Sequence, residues 1–183
     1  MNSQPDTASQ VPKHTRLPII WLVLGDKQGD NGQALTIADA LGWPYQLRRI
    51  QILEPFVFGK PKVGPTLYHI DRDKSDRLEP PWPDLIITVG RRPANVALWI
   101  REQSGKNTAI VLVGKPSGMM DQFDLIVASG ENQFPPLKNV LNVSLPLMRV
   151  DEKGVASAAA AWKERLEVLP RPLIGVLVGG PTG

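Results

Sequence analysis

The chain contains no cysteine, which excludes disulfides, thiolate catalysis, iron–sulfur clusters and cysteine-bound zinc together. Histidine is almost as scarce. Only His14 and His69 occur, one in a polar N-terminal stretch and one in a loop-rich segment, too little material for a histidine metal site or a catalytic triad. No metal site is expected, and no resident cofactor is indicated. Long apolar runs are also missing: the longest are strand-length, far short of the ~20 residues of a spanning helix. Met1 to Arg16 holds no apolar run that would serve as a signal peptide. The expected location is therefore the cytoplasm. The excess of charge is slight. A net charge of +3 and a pI of 9.3 suit a phosphate-bearing ligand or an anionic membrane face, and give little support to a nucleic-acid partner.

What is present is ordinary globular sequence. With 183 residues, 42% of them hydrophobic and 21% charged, the chain suits one well-packed domain, or one domain plus the start of another. Ile19 to Leu24 is apolar throughout and predicts a parallel strand buried on both faces. Gly25 to Gly32 reads as a loop. Gln33 to Leu41, with Ala34, Ile37, Ala38 and Leu41 at helical spacing, reads as a helix closed by Gly42. Gln46 to Leu53 is the next expected strand, completing a βαβ unit. The pattern repeats with a strand at Leu85 to Val89, a turn at Gly90-Arg91-Arg92, and a helix from Pro93 to Gln103 whose Pro93 suits the first helical position. Ala109 to Val113, Leu125 to Ala128 and Val140 to Ser144 are three further short strands. The expected fold class is α/β, a doubly wound Rossmann-like parallel sheet.

Two regions stand apart from this rhythm. Glu54 to Pro83 is rich in proline and charge and has no sustained period, so it reads as a long insertion loop or broken hairpin. Its Phe56, Val57 and Phe58 beside Lys60 and Lys62 either form an apolar finger for a membrane surface or tuck onto the sheet. From Asp151 to Leu169 a helix is expected, with Val155, Trp162, Leu166 and Leu169 on one stripe, ended by Pro170 and Pro172. Leu173 to Val178 then reads as a strand that opens a second domain or docks at the edge of the first sheet. The domain plan is accordingly a disordered leader 1–16, a Rossmann-like domain 17–150, a connecting helix and linker 151–172, and the first strand and glycine loop of a truncated second domain, 173–183.

In an open parallel sheet, ligands bind beyond the carboxyl ends of the strands, where helix N-termini converge. Three loops qualify. The first carries Gly25, Asp26, Lys27, Gln28, Gly29, Asp30, Asn31, Gly32 and Gln33; its glycines allow close backbone approach and the following helix offers free N–H groups. Its spacing is neither the dinucleotide fingerprint nor a P-loop. Asp30 is the candidate base for an acceptor hydroxyl, while capping by Asp30 or Asn31, worth about 1 kcal/mol, is the structural alternative and compatible with it. The second loop, Gly90-Arg91-Arg92, sets two cations at a helix N-terminus against the dipole. Bidentate binding of a phosphate or carboxylate would account for them, as would pairing of one arginine with Asp84 or another acidic neighbour. The third, Gly114 to Gly118, offers Lys115 as its contact.

These residues resemble a known pattern. The strand running into Gly25-Asp26-Lys27-Gln28-Gly29-Asp30-Asn31-Gly32-Gln33, the block from Pro81-Trp82-Pro83-Asp84 to Gly90-Arg91-Arg92, and Phe123-Asp124-Leu125-Ile126-Val127 with Asn139-Val140 are similar to the bacterial relatives of the plant mitochondrial-fission "elongated mitochondria" family. That family is similar to GT-B glycosyltransferases, and the first loop also resembles that of lipid-A-disaccharide synthase. The resemblance implies an N-terminal, acceptor-side domain, with Gly179 and Gly180 beginning a donor-side domain through which a nucleotide sugar would bind. The acceptor is left open, a membrane-associated one included, with a peripheral contact at the inner membrane. The resemblance also implies a rival reading, a non-catalytic interaction module at a membrane.

Overall fold

The computed structural model of the chain describes residues 16–59, 61–116, 118–130, 134–148, 150–176 and 178. In chain order the elements are β1 (Ile20–Leu24), α1 (Gln28–Leu41), β2 (Gln46–Arg49), β3 (Gln51–Ile52), α2 (Glu54–Phe58), β4 (Ile70–Asp71) and β5 (Leu85–Val89). They continue with α3 (Arg91–Gln103), β6 (Ala109–Val113), a 3-10 turn (Met120–Gln122), β7 (Leu125–Ser129), β8 (Val140–Val143) and α4 (Glu152–Glu167). Six strands form one sheet in the order β2-β1-β5-β6-β7-β8, every neighbouring pair parallel. The doubly wound α/β expectation holds.

Alternation along the buried strands supplies two cores. Ile20, Leu22 and Leu24 of β1 join Ala34 and Ala38 of α1, with Ile87 and Val89 of β5. Trp21 and Val23 point the other way and join Val96, Ala97 and Ile100 of α3, with Ile86, Ile110, Leu112 and Ile126. Strands apolar at every position are thus explained by burial on both faces. A side-chain tie also crosses the strands inside this core, where the Thr88 hydroxyl donates to the Val23 carbonyl at 2.8 Å.

The structure moves several expected boundaries. Helix α1 begins at Gln28, so Gly29, Asp30, Asn31 and Gly32 are helical and the loop is only Gly25 to Lys27. A Cβ on Gly29 or Gly32 would meet nothing within 4 Å. Each glycine costs the helix about 1 kcal/mol, and packing of Ala34 and Ala38 offsets it. Capping by Asp30 or Asn31 is not observed, since the N-cap is Lys27 with no side-chain cap. The Asn31 amide instead donates back to the Gly25 carbonyl at 2.9 Å. Likewise α3 starts at Arg91, which puts Pro93 third in the helix and not first.

The expected strand 46–53 is two strands. After β2 the chain leaves the sheet, and β3 pairs antiparallel with β4. The Asp76 carboxylate and the Ser75 hydroxyl accept the Arg49 and Gln51 amides at 2.7 and 2.9 Å. The insertion 54–83 is therefore a hairpin with a short helix folded onto the domain. Phe56 and Val57 are partly buried against the α3-side core, which is the packed alternative and not the exposed finger; Lys60 lies outside the described residues. Arg16 belongs to the folded domain, not to a leader, because its guanidinium grips Asp84 at 2.9 and 2.8 Å. That contact also removes Asp84 as the expected partner of Arg91 or Arg92. Residues 173–176 and 178 carry no strand, and Ile174 and Val176 are exposed.

Candidate functional site

The chain runs from β1 to β2 on one side, then returns to place β5 on the other side of β1. This reversal is the switch point of a doubly wound sheet, where the loops after β1 and β5 separate and leave a crevice. A cavity of about 190 Å³ occupies it. Gly25, Asp26, Lys27, Asp30, Asn31, Gly59, Pro61, Val89, Gly90, Arg91, Arg92, Pro93 and Lys115 line it. All three loops singled out from the sequence converge there, although 65 residues separate the start of the first from Gly90. Gly29 and Gln33 do not line the cavity, and Gly179 and Gly180 lie outside the described residues.

Glycine is required where the two loops touch. A Cβ on Gly25 would sit 3.1 Å from Pro93 Cγ of α3. Gly90, the N-cap of α3, has φ +79° and ψ 169°, a conformation open essentially to glycine alone. The Asp30 carboxylate lies just beyond, 3.7 Å from where a Cβ on Gly90 would stand. The N-termini of α1 and α3 therefore open onto the same space, which favours an anion.

The charged side chains divide by what already holds them. Arg92 donates to the carbonyls of Val57 and, at 3.1 Å, Gly59, so its guanidinium is engaged as a strut that ties α2 to the rim. Lys115 sits over the Phe134 ring, 5.2 Å from its centroid. Among the described residues Arg91 and Asp30 have no hydrogen bond or ion pair, and the Arg91 Nε is buried without a partner. The side chains of Asp26 and Lys27 line the same cavity and likewise have no hydrogen bond or ion pair among the described residues, so cations and carboxylates face it together.

Sequence reasoning missed Gly59 and Pro61, which the insertion brings to the rim. The length of that insertion was the available signal. What holds it is α3: besides Arg92, the Asn95 side chain donates to the Lys62 carbonyl at 2.7 Å and accepts from the Gly64 amide at 3.2 Å. His69 completes the attachment. It is fully buried, and its Nε2 faces the Arg92 carbonyl at 2.9 Å, so Nε2 carries the proton. Burial pushes the imidazole below its ordinary value, partly opposed by the Arg92 carbonyl.

A pH prediction follows from that shift. Because the folded value lies below the unfolded one, the unfolded chain binds the extra proton first as pH falls. Stability is full above the unfolded value of about 6.5 and declines as pH drops through it toward the folded value. Urea midpoints measured between neutral and mildly acidic pH should fall, and His69→Gln should flatten that decline. An unchanged slope in the variant would assign the decline to other groups.

The model of the family described as Mitochondrial fission ELM1 matches residues 28–183. The chain belongs to this family. Mitochondrial fission protein ELM1 of Arabidopsis thaliana is 23% identical over 121 residues, covering 54% of this chain and 28% of that protein. The match of this ELM1-family chain therefore covers less than a third of the length of that relative. No solved structure matches it. Among its described residues, no helix is long and apolar enough to cross a membrane.

Proposed function

We propose that this ELM1-family domain is the acceptor-side half of a GT-B-like glycosyltransferase, and that the switch-point cavity binds a phosphate-bearing ligand beside the hydroxyl to be glycosylated. The observation that carries this reading is the meeting of Arg91, Asp30 and two helix N-termini in one cavity, with neither side chain in a hydrogen bond or ion pair among the described residues. Arg91 and the α3 N-terminus hold phosphate oxygens. Asp30 takes the proton of an acceptor hydroxyl as its oxygen bonds to the anomeric carbon. The bond from that carbon to the diphosphate breaks, and its electron pair leaves on the phosphate oxygen. The nucleotide part of the donor falls to a second domain, as the GT-B resemblance implies, and the setting is the cytoplasm.

Titration of the chain with inorganic pyrophosphate, followed through the amide resonances of Gly25 and Gly90, tests the site. Both amides should shift. Arg91→Ala should weaken binding about 10- to 100-fold, the value of a charge-assisted hydrogen bond. Arg92→Ala should act mainly by loosening the 57–59 strut. Silent glycine amides, or an affinity indifferent to Arg91, would sink the proposal.

A further inference from the structure

Among the described residues two apolar surfaces are left wholly or partly uncovered, and they lie on consecutive segments. The first is on the sheet. Helix α1 contacts β1 and β5, while the connections on either side of β7 pack Met120, Phe123 and Phe134 on the opposite face, with α3. On the α1 side of β6, β7 and β8, Val113 and Val127 are buried and Leu147 packs against the same cluster, but Val111, Leu125 and Val143 are only partly buried and Leu141 is 51% exposed. The second surface is on α4. Val155, Trp162 and Leu166, with Leu169 just beyond, form one helical stripe, yet every described residue of α4 is exposed.

We propose that α4 docks on the open face of β6 to β8, beside α1, as the closing helix of the domain. What already covers the sheet selects the face. One side of β6 to β8 is packed with α3, Met120, Phe123 and Phe134. Leu147, four residues before the N-cap Asp151 of α4, packs on the other side, with α1, and starts the chain back over it.

Reach and shape agree with this. The segment 144–151 spans roughly 26–29 Å when extended, enough to turn the chain back over the sheet. Helix α4 is about 24 Å long, sufficient to cross strands of this length. Ala158 and Ala159 between the large stripe residues allow close approach to the sheet, and the Lys163–Glu167 pair flanks the stripe. Ser157 and Glu164 face away from it. An unsupported helix of this length is marginal in water, so its apolar stripe needs a partner.

The lack of native cysteine makes disulfide trapping selective. Leu141→Cys is combined in turn with Val155→Cys, Trp162→Cys and Leu166→Cys on the stripe, and with Glu164→Cys on the opposite side. The fastest stripe pair should close within one chain at least about tenfold faster than the Glu164 pair, since only the docked face holds its thiols in range. Disulfides that form only between chains would mean a second copy covers the face, and no preference between stripe and control would mean nothing does; either overturns the proposal. Hydrogen exchange on the unmodified chain serves where a variant fails to fold. Amides 155–166 should be protected at least about tenfold beyond a free helix, independently of protein concentration. Exchange at the free-helix rate, or protection that appears only on concentration, would equally overturn it.

Discussion

Asp30→Asn is expected to lower sugar transfer by about 10²- to 10⁴-fold, the usual contribution of a positioned general base. Asparagine keeps the shape of the carboxylate and removes its capacity to take a proton. The substitution leaves the fold nearly untouched, because Asp30 makes no hydrogen bond or ion pair among the described residues. The loss of a first-turn negative charge from α1 costs only about 0.3–1 kcal/mol. Pyrophosphate affinity should hold or rise slightly, since one of two repelling carboxylates is gone, leaving Asp26 against Lys27, Arg91, Arg92 and Lys115. The check is the initial rate of nucleotide-sugar consumption by the domain together with its donor-side half, wild type against variant. A rate within twofold of wild type, by about 0.4 kcal/mol, would remove Asp30 from the chemistry.

Trp21→Ala should destabilise the domain by about 3–5 kcal/mol, a range typical of truncating a buried tryptophan. Trp21 is 1% exposed. Its ring meets Trp82 edge-on at 6.1 Å, and Trp82 meets Trp99 of α3 in the same way at 6.1 Å. The Arg48 guanidinium lies 4.2 Å above the Trp21 ring. One side chain thereby joins β1, β2, the segment before β5, and α3, and its removal leaves a void that a parallel sheet cannot close by local adjustment. Urea denaturation followed by circular dichroism measures the loss. Trp21→Phe should cost less, because it retains much of the apolar contact. A loss below about 1 kcal/mol for the alanine variant would show that the core collapses around the gap.

The parts of the fold that could be read directly were those with local signatures. The strands β1, β5, β6 and β7 are apolar along most of their length because they lie inside the sheet, and that run is visible without knowing what covers it. The start of α1 was obscured by Gly29 and Gly32, which argue locally for a loop; their exposure and the packing of Ala34 and Ala38 decide for a helix. Leu173 to Val178 has the composition of a buried strand, but composition cannot supply the neighbour that a strand requires, and the described residues there have none.

For the candidate site, glycines after parallel strands and cations at helix starts were readable as types. Their partners were not. Arg91 and Arg92 are adjacent and chemically identical, yet one guanidinium is taken up by the Val57 and Gly59 carbonyls while the other is left facing the cavity. Only the placement of the insertion against α3 separates them.

The sequence by itself therefore determined the α/β class, the strands β1 and β5 to β8 with the helices α3 and α4, the absence of thiol chemistry, and the supply of glycine, cations and carboxylate after β1, β5 and β6. Tertiary structure decided that β1 and β5 are neighbours across the switch point, that three loops distant along the chain share one cavity, and which charges there have no partner among the described residues. The reason is range. Hydrophobic period and turn chemistry act over a few residues and leave a local trace, whereas strand order and hydrogen-bond partners are set by contacts between segments that nothing local specifies.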